Sequence, residues 1–265
     1  MQKKCGNSIE IYCQDAQNMS VITDARCDLV ITSPPYNVNR NYTEYNDNLI
    51  MEDYLAMLER VMVECYRVMK PGSRICLNVA HGTGRQPYLP IGAEVTLLLR
   101  KHFELLGTII WRKTTALLRT SWGSWRRPST PYLRDLCELI IIAKKPGFFD
   151  VPDDFLVNDR GIKVSPWLDA DTFTTLTRDI WEFETSTPSK ALGHPASFPL
   201  ELPIRLIKLF AYRGATILDP FAGSGTTGLA AKELGCSAIL LDIDPNYFNL
   251  MTERFAQTTL FEATA

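Results

Sequence analysis

The sequence contains no apolar run that approaches the roughly 20 residues needed to span a membrane, and its mean hydropathy is −0.07. Its seven cysteines are scattered and form no C-x-x-C pair, which argues against a disulfide framework and a zinc site. The three histidines are far apart and stand at no metal-ligand spacing. The first residues carry two lysines but lack the apolar segment of a signal peptide. These absences predict a cytoplasmic protein with no metal, membrane span or disulfide.

The charge is nearly balanced, with 28 basic and 30 acidic side chains, so composition alone does not indicate a nucleic-acid-binding protein. The balance hides a local asymmetry. Residues 111–145 carry eight basic and two acidic side chains, whereas residues 150–185 carry nine acidic and three basic ones. A basic segment on an otherwise acidic body can still bind phosphate. A solvated surface loop is the alternative explanation.

Apolar runs of strand length alternate with segments of helical periodicity. We predict strands at 8–13, 27–31, 73–79, 103–111, 136–143, 216–218 and 237–242. We predict helices at 51–68, 91–102, 199–211 and 226–234, and another from 246 onward. Residues 15–17 are expected to begin a helix, and residues 70–72 (KPG) to end one. The alternation predicts an α/β sheet with helices on both faces.

One predicted strand leads into residues 31–38, which read ITSPPYNV. Proline fixes its own φ, lacks an N–H group and keeps the preceding residue out of the helical region. The strand therefore ends in a stiff, extended segment that carries a serine hydroxyl, fixed carbonyl groups and an aromatic ring. A strand that simply ends in two prolines is the structural alternative.

A second motif, TILDPFAGSGTTG at residues 216–228, combines a strand, a glycine-rich turn and the start of a helix. Gly223, Gly225 and Gly228 match G-x-G-x-x-G, and Asp242 ends the next strand, where it can accept hydrogen bonds from ribose hydroxyls. No lysine follows the glycines as in a Walker A loop, and only about 20 residues follow Asp242, too few for a second dinucleotide-binding half. The pattern predicts a nucleoside-containing cofactor, with a helix–sheet packing turn as the alternative.

Together the two motifs resemble those of the DNA amino-methyltransferases, which use S-adenosylmethionine to methylate the N4 of cytosine or the N6 of adenine. The catalytic motif of that family, (D/N/S)-P-P-(Y/F), is matched by residues 33–36, and its D-P-F-x-G-x-G-T loop is matched by residues 219–226. The catalytic motif comes first, as in the beta group of the family. The resemblance implies a SAM-dependent methyltransferase (Rossmann-like) fold. This is a mostly parallel seven-stranded sheet flanked by helices and circularly permuted in sequence, with a small DNA-recognition lobe.

The resemblance also implies how the chain is divided. Residues 1–112 would form the catalytic half of one methyltransferase domain, and residues 191–265 its SAM-binding half. Residues 113–190 would form the target-recognition region, with a strand of the catalytic half at about 136–143. Within it, the insert at 119–134 is the candidate DNA contact, because arginine can bind phosphate or read guanine and tryptophan can stack on bases. The residues proposed to contact DNA are Arg119, Trp122, Trp125, Arg126 and Arg127. A loop that packs its tryptophans on its own lobe is the alternative.

The implied cofactor contacts lie in four segments of the chain. The first would contact adenine, the second begins the helix that helps to hold methionine, the third faces methionine and ribose, and the fourth takes the ribose hydroxyls and packs on adenine. The predicted residues are Asp15, Ala16, His194, Pro195, Ser197, Phe198, Asp219, Phe221, Ala222, Gly223, Ser224, Gly225, Thr226, Asp242 and Ile243. Asp244 is instead expected to cap the helix that begins at Pro245.

The predicted catalytic residues are Ser33, Pro34, Pro35 and Tyr36. An exocyclic amine is a poor nucleophile because its lone pair is delocalised into the ring. Two acceptors on its N–H bonds, the Ser33 hydroxyl oxygen and the Pro34 carbonyl, would bring the nitrogen closer to sp³ geometry. Tyr36 would stack on a base flipped out of the duplex. Asn37 is expected to brace the turn.

The sequence therefore predicts a site-specific enzyme that methylates the N4 of a flipped cytosine in double-stranded DNA. Serine at the first motif position favours cytosine in this family, and adenine-N6 is the alternative. An RNA or protein-glutamine methyltransferase is disfavoured by the motif order, and an inactive nucleoside-sensing regulator by the intact motif. A homodimer and a cognate restriction endonuclease are partners that the sequence leaves open.

Overall fold

The computed structural model describes residues 2–5, 9–37, 44–83, 88–114, 123–124, 126–131, 133, 136–150, 156–157, 161, 163–185 and 198–262. Their strands are β1 (Gln2–Cys5), β2 (Ile9–Cys13), β3 (Cys27–Thr32), β4 (Met69–Ala80), β5 (Glu104–Lys113), β6 (Cys137–Lys144), β7 (Leu156–Val157), β8 (Lys163–Val164), β9 (Ile180–Phe183), β10 (Thr216–Asp219) and β11 (Ser237–Asp242). Their helices are α1 (Met51–Val68), α2 (Ile91–Arg100), α3 (Ala170–Leu176), α4 (Glu201–Phe210), α5 (Thr226–Glu233) and α6 (Pro245–Glu262).

A single large sheet has the strand order β1-β2-β11-β10-β3-β4-β6-β5-β9. Strands β2, β11, β10, β3 and β4 are parallel neighbours, and β6 runs antiparallel between β4 and β5. These seven central strands form the predicted α/β sheet. In the described part of the chain, short β1 pairs with one edge of this sheet and β9 with the other, which extends it to nine strands.

The apolar core lies on both faces of this sheet, which explains why its central strands read as continuous apolar runs. All six residues of β3 are buried. Successive residues of β10 point to opposite faces, so Leu218 belongs to the same core cluster as Tyr54 and Leu58 of α1, whereas Ile217 belongs to the cluster that contains Leu206 of α4. Helix α1 buries one stripe at helical spacing, as its sequence predicts.

Two expectations about local structure are wrong. Residues 15–17 form a turn and not the start of a helix, and the Asp15 carboxylate accepts a hydrogen bond from the Gln17 backbone N–H (2.9 Å). Helix α1 ends at Val68, directly before residues 70–72, as predicted, but the strand predicted to begin at residue 73 already begins at Met69 and passes through Gly72 at φ +77°. A register shift between β3 and β4 accommodates this segment.

The weakly periodic stretch at 144–190 contains more regular structure than its sequence suggests. It includes α3 and β9, and β9 extends the main sheet beside β5. Trp181 of β9 is buried and its indole N–H donates to the Leu176 carbonyl (3.1 Å). Part of the predicted recognition region therefore belongs to the sheet. Among the described residues, no helix is long and apolar enough to cross a membrane.

Candidate active site

The two sequence motifs meet at one edge of the sheet. Strand β3 leads into the SPPY segment and β10 into the glycine-rich loop, and the two strands are adjacent and parallel. Their carboxyl ends therefore lie side by side, which is where ligands bind in open α/β sheets. A hydrogen bond from the Thr32 hydroxyl to Asp219 Oδ1 (2.7 Å) joins the strands just below the motifs.

A pocket opens above these strand ends. The lining residues are Asp15, Ala16, Gln17, Ser33, Pro34, Pro35, Tyr36, Glu44, Tyr45, Met57, Phe198, Pro220, Phe221, Ala222, Ser224, Thr226, Asp242, Ile243, Asp244 and Tyr247. The catalytic motif thus shares one pocket with most of the predicted cofactor residues. His194, Pro195 and Ser197 lie outside the described residues.

Asp219 lies beneath the pocket and does not line it. Its carboxylate is 1% exposed and accepts hydrogen bonds from the Thr32 hydroxyl (2.7 Å), the Thr227 hydroxyl (2.6 Å) and the Phe221 N–H (3.1 Å). Burial raises the pKa of Asp219 to about 6. The geometry makes this residue a brace between β3, the glycine-rich loop and α5, rather than a direct ligand for a cation.

The glycine-rich loop needs its glycines for backbone conformation and for space. Gly225 has φ +80°, and a Cβ there would lie 3.1 Å from side-chain atoms of Met251 and Phe255 in α6. Gly223 has φ +51°, and its N–H donates to Asp242 (2.9 Å). The Ser224 carbonyl accepts a hydrogen bond from Arg254 (2.7 Å), so α6 supports the loop from behind.

Asp242 ends β11 at the wall of the pocket, as predicted. Its two carboxylate oxygens accept hydrogen bonds from the N–H groups of Gly223 and Asp244 (both 2.9 Å). Burial raises the pKa of Asp242 to about 6. Ile243 is half exposed and lines the same wall. The prediction for Asp244 is confirmed, because its side chain accepts from the Asn246 N–H (2.8 Å) at the start of α6.

The pocket combines carboxylates with aromatic and aliphatic surfaces. Asp15, Glu44, Asp242 and Asp244 supply acceptors, and Phe198 and Ile243 supply apolar surface. This lining fits a ligand that has a flat ring, hydroxyl groups and positive charge, as S-adenosylmethionine has. Among the described residues, no group of His, Cys, Asp and Glu side chains could hold a metal ion.

The SPPY segment is held rigidly from two sides. The Tyr54 hydroxyl donates to the Pro35 carbonyl (2.8 Å). Asn37, at φ +56°, exchanges side-chain hydrogen bonds with the backbone of Leu49 (2.8 and 2.7 Å), while its own N–H donates to Asp47 (2.9 Å). The expected bracing role of Asn37 is confirmed.

A polar cluster lies directly behind the motif. The Tyr36 hydroxyl donates to Glu138 Oε2 (3.1 Å) and lies 2.9 Å from Ser33 Oγ. Asn78 donates to both Tyr36 (3.0 Å) and Glu138 (2.6 Å), and Lys113 forms an ion pair with Glu138. Burial, followed by the Glu138 charge, raises the pKa of Tyr36 well above its usual range. The sequence reasoning missed this cluster, although Asn78 and Glu138 are polar residues within apolar strand runs.

The pocket also contains residues that sequence reasoning missed. Tyr247 follows Asp244 by less than one turn of α6, and Glu44 and Tyr45 come from the segment after the catalytic motif. The sequence offered one signal for this segment: the acidic Glu44 stands beside the aromatic Tyr45, shortly after the SPPY motif.

The predicted DNA-contacting residues are only partly described. Arg126 and Arg127 are exposed in a turn in which the Ser124 hydroxyl donates to the Arg127 carbonyl (2.8 Å), and Arg126 has φ +55°. Arg119, Trp122 and Trp125 lie outside the described residues. The structure therefore presents two adjacent guanidinium groups to solvent, and their contact with DNA stays a prediction.

Known proteins are similar to this chain in sequence and in fold. Residues 27–253 match the family model described as DNA methylase. The Type II methyltransferase M.MjaI of Methanocaldococcus jannaschii is 31% identical over 278 residues, which cover 91% of this chain and 88% of that protein. A structure described as a DNA modification methylase from Thermus thermophilus, complexed with S-adenosyl-L-methionine, is 30% identical with a TM-score of 0.70, and the match covers 93% of each chain.

Two further matches carry names that refer to different bases. The PvuII DNA methyltransferase, named as cytosine-N4-specific, has a TM-score of 0.70 at 19% identity and covers 94% of this chain and 86% of its own, which is a similarity of fold. The DNA adenine methyltransferase YhdJ of Escherichia coli is 25% identical, and the match covers 89% of this chain and 78% of that protein.

Proposed function

The chain belongs to the DNA methylase family, and from that premise we propose that it methylates the N4 amino group of a cytosine flipped out of duplex DNA. S-adenosylmethionine as the cofactor and DNA as the substrate follow from the family and from the similarity to the Thermus methylase complexed with that cofactor. The predicted cofactor is thereby confirmed. The target base, base flipping and the roles of individual residues are the further content of the proposal.

One observation carries the proposal: Ser33 and Tyr36 line the same pocket as Asp242 and Ile243. A cofactor that places its ribose at Asp242 and its adenine at Ile243 would lie beside the SPPY segment. The bound cofactor supplies an activated methyl group on a sulfonium centre. The protein then has mainly to position the amine, which is the contribution that proximity and orientation make to catalysis.

The residues of the motif divide this positioning task. Ser33 Oγ and the Pro34 carbonyl each accept a hydrogen bond from one N–H group of the amine, and the rigid SPPY segment holds both acceptors in place. The Pro34 carbonyl accepts no hydrogen bond from any residue in the described part of the chain, so it is available for this purpose. Tyr36 offers its ring to the flipped base. After methyl transfer the nitrogen loses a proton, so no strong base is needed at the start.

Asp219 acts through the loop and not through the cofactor. Because its carboxylate is buried and accepts hydrogen bonds from Thr32, Phe221 and Thr227, we assign it a positioning role. An Asp219→Ala variant should lose S-adenosylmethionine affinity by calorimetry and keep most of its DNA affinity in a gel-shift assay. Equal losses in the two assays would contradict this role.

The choice of cytosine rests on Ser33, since serine at this position favours cytosine in the family and aspartate is commoner in the adenine enzymes. Names for both bases occur among the relatives, so the base has to be tested. Similarity to Type II methyltransferases supports a role in a restriction–modification system, with an endonuclease acting on the same site.

The test uses duplex DNA and methyl-labelled S-adenosylmethionine, followed by enzymatic hydrolysis and separation of the nucleosides. We expect the label in N4-methylcytosine, and no label with Ser33→Ala. Label only in N6-methyladenine would show that the target base is adenine and not cytosine. Label in RNA or protein but not in duplex DNA would overturn the proposal.

A further inference from the structure

Glu138 lies behind the catalytic motif and forms hydrogen bonds with both of its carboxylate oxygens. Its side chain is 12% exposed and pairs through Oε1 with Lys113. Oε2 accepts hydrogen bonds from Asn78 Nδ2 (2.6 Å) and the Tyr36 hydroxyl (3.1 Å). An ionised carboxylate has no proton to donate, so all three neighbours must direct a proton towards it.

The proton positions around the Tyr36 hydroxyl can now be assigned. A hydroxyl has one proton and two acceptor positions, and the proton of Tyr36 is committed to Glu138. Two groups remain within hydrogen-bond distance: Asn78 Nδ2 at 3.0 Å and Ser33 Oγ at 2.9 Å. The amide nitrogen can only donate, so it occupies one acceptor position. The other acceptor position is left for the Ser33 proton, and Ser33 therefore donates to Tyr36.

We propose that Glu138 is a positioning residue that sets the direction of the Ser33–Tyr36–Glu138 hydrogen-bond chain, so that Ser33 presents only acceptor lone pairs to the target amine. This inference rests on the proposed function. A serine hydroxyl is otherwise ambiguous, because it can donate as well as accept, and a proton turned towards the amine would oppose its N–H bonds. An aspartate at position 33 would be an acceptor without help. In this chain the negative charge lies two hydrogen bonds behind Ser33, at Glu138.

Glu138→Gln tests the direction of the chain with little change in shape. Lys113 can only donate, so the new amide should turn its oxygen to Lys113 and its NH₂ group to Tyr36 and Asn78. Asn78 now donates to Oε2 at 2.6 Å, so two donors would meet there and one of the amides has to turn. In either arrangement the Tyr36 proton loses its carboxylate acceptor, and the direction of the Ser33 hydroxyl is no longer fixed. We expect kcat for methyl transfer to fall roughly 10- to 100-fold, as for other small errors of alignment, while KM for S-adenosylmethionine is unchanged.

A matched control exists at the other end of the same two strands. Glu104 of β5 pairs with Lys144 of β6 at 2.8 Å, so it forms the same kind of cross-strand ion pair away from the motif. Glu104→Gln should leave kcat at the wild-type value. An equal loss of kcat in Glu104→Gln and Glu138→Gln would show a general effect of removing a strand-pairing charge, and would overturn the inference.

Tyr36→Phe provides an independent break in the chain, because it removes the hydroxyl and keeps both the ring and the Glu138–Lys113 pair. It should also lower kcat roughly 10- to 100-fold. The double variant Tyr36→Phe/Glu138→Gln should be no slower than the slower single variant, because both substitutions break one link. A double variant slower by the product of the two effects would overturn the inference. If Glu138→Gln does not fold, as judged by circular dichroism, the kcat of Tyr36→Phe decides.

The outcomes separate this inference from the proposed function. Wild-type protein that transfers methyl to DNA, with unchanged kcat in Tyr36→Phe and Glu138→Gln, overturns the inference alone. Wild-type protein that transfers no methyl to DNA overturns the proposed function and this inference with it. Reduced kcat at unchanged KM in both variants, with a normal Glu104→Gln, supports the inference.

Discussion

Thr32→Val should destabilise the protein in a pH-dependent manner, because it removes one donor from the buried Asp219 carboxylate. Thr32 is fully buried and its hydroxyl lies 2.7 Å from Asp219 Oδ1. Valine has nearly the same shape and also favours a strand, so the change isolates the hydrogen bond. A hydrogen bond to a charged group contributes about 1.5–3 kcal/mol and a neutral one about 1 kcal/mol. The expected cost is therefore about 1.5–3 kcal/mol where Asp219 is ionised, and about 1 kcal/mol where it is protonated.

The sign of the pH effect follows from the raised pKa of Asp219. Burial raises this pKa to about 6, well above the roughly 3.9 of an unfolded aspartate. The folded protein therefore holds the proton more tightly, and the contribution of this group to stability falls as pH rises from about 4 through 6. Loss of the Thr32 donor raises the folded pKa further. The variant should consequently lose more stability at pH 8 than at pH 5.

Urea denaturation of the wild type and of Thr32→Val, at pH 8 and at pH 5, measures the loss in free energy of unfolding and its dependence on pH. Thr216→Val is the matched control, because Thr216 lies on β10 with Asp219 and its hydroxyl bonds to none of the described residues. We expect no pH-dependent change in the control. Equal destabilisation of Thr32→Val at the two pH values, or a cost below about 0.5 kcal/mol at pH 8, would refute the assignment of Asp219 as a buried, ionised brace.

Three further predictions concern the cofactor and DNA. Burial raises the pKa of Asp242 to about 6, so the affinity for S-adenosylmethionine should fall up to tenfold for each pH unit below 6. In calorimetry, Asp242→Asn should bind S-adenosylmethionine more weakly, and its affinity should not show this pH dependence. Gly225→Ala forces alanine to φ +80° and places its Cβ 3.1 Å from Met251. The free energy of unfolding, measured by thermal denaturation, should fall by about 1–3 kcal/mol. An unchanged melting temperature would show that this position is not strained. Replacing Arg126 and Arg127 by alanine should reduce the slope of log K for DNA binding against log salt concentration by about one for each lost phosphate contact, and should leave cofactor affinity unchanged. An unaltered slope would show that these residues do not contact DNA.

The central sheet was predictable because its strands are buried on both faces and read as short continuous apolar runs, which alternate with segments of helical periodicity. The bounds predicted for α1 and β11 agree with the structure. The predicted start of β4 was wrong because proline and glycine are usually absent from strand interiors, whereas here β4 contains them at an irregular position of its pairing with β3. Strand β9 has four residues, and only its pairing with β5 makes it a strand. Such short edge elements are determined by tertiary contacts rather than by local pattern.

Most of the residues predicted to hold the cofactor line one pocket, because three of the segments that carry them follow the neighbouring strands β2, β11 and β10. Asp219 shows the limit of this reasoning, because a motif residue can act from beneath a pocket as well as inside it. Glu138 and Lys113 could not be assigned from sequence. Their position behind Tyr36 depends on β6 running antiparallel between β4 and β5, which no local pattern specifies.

The hydrogen bond between Thr32 and Asp219 joins residues that are 187 positions apart. Contacts of such high sequence separation form late in folding, because a long loop must first be closed. Residues from both of these distant segments line the pocket, so the proposed function needs the two segments side by side. A chain emerging from the ribosome therefore acquires the complete pocket only after β10 has paired with β3. Partly folded molecules, in which these two strands are not yet paired, should be unable to transfer a methyl group.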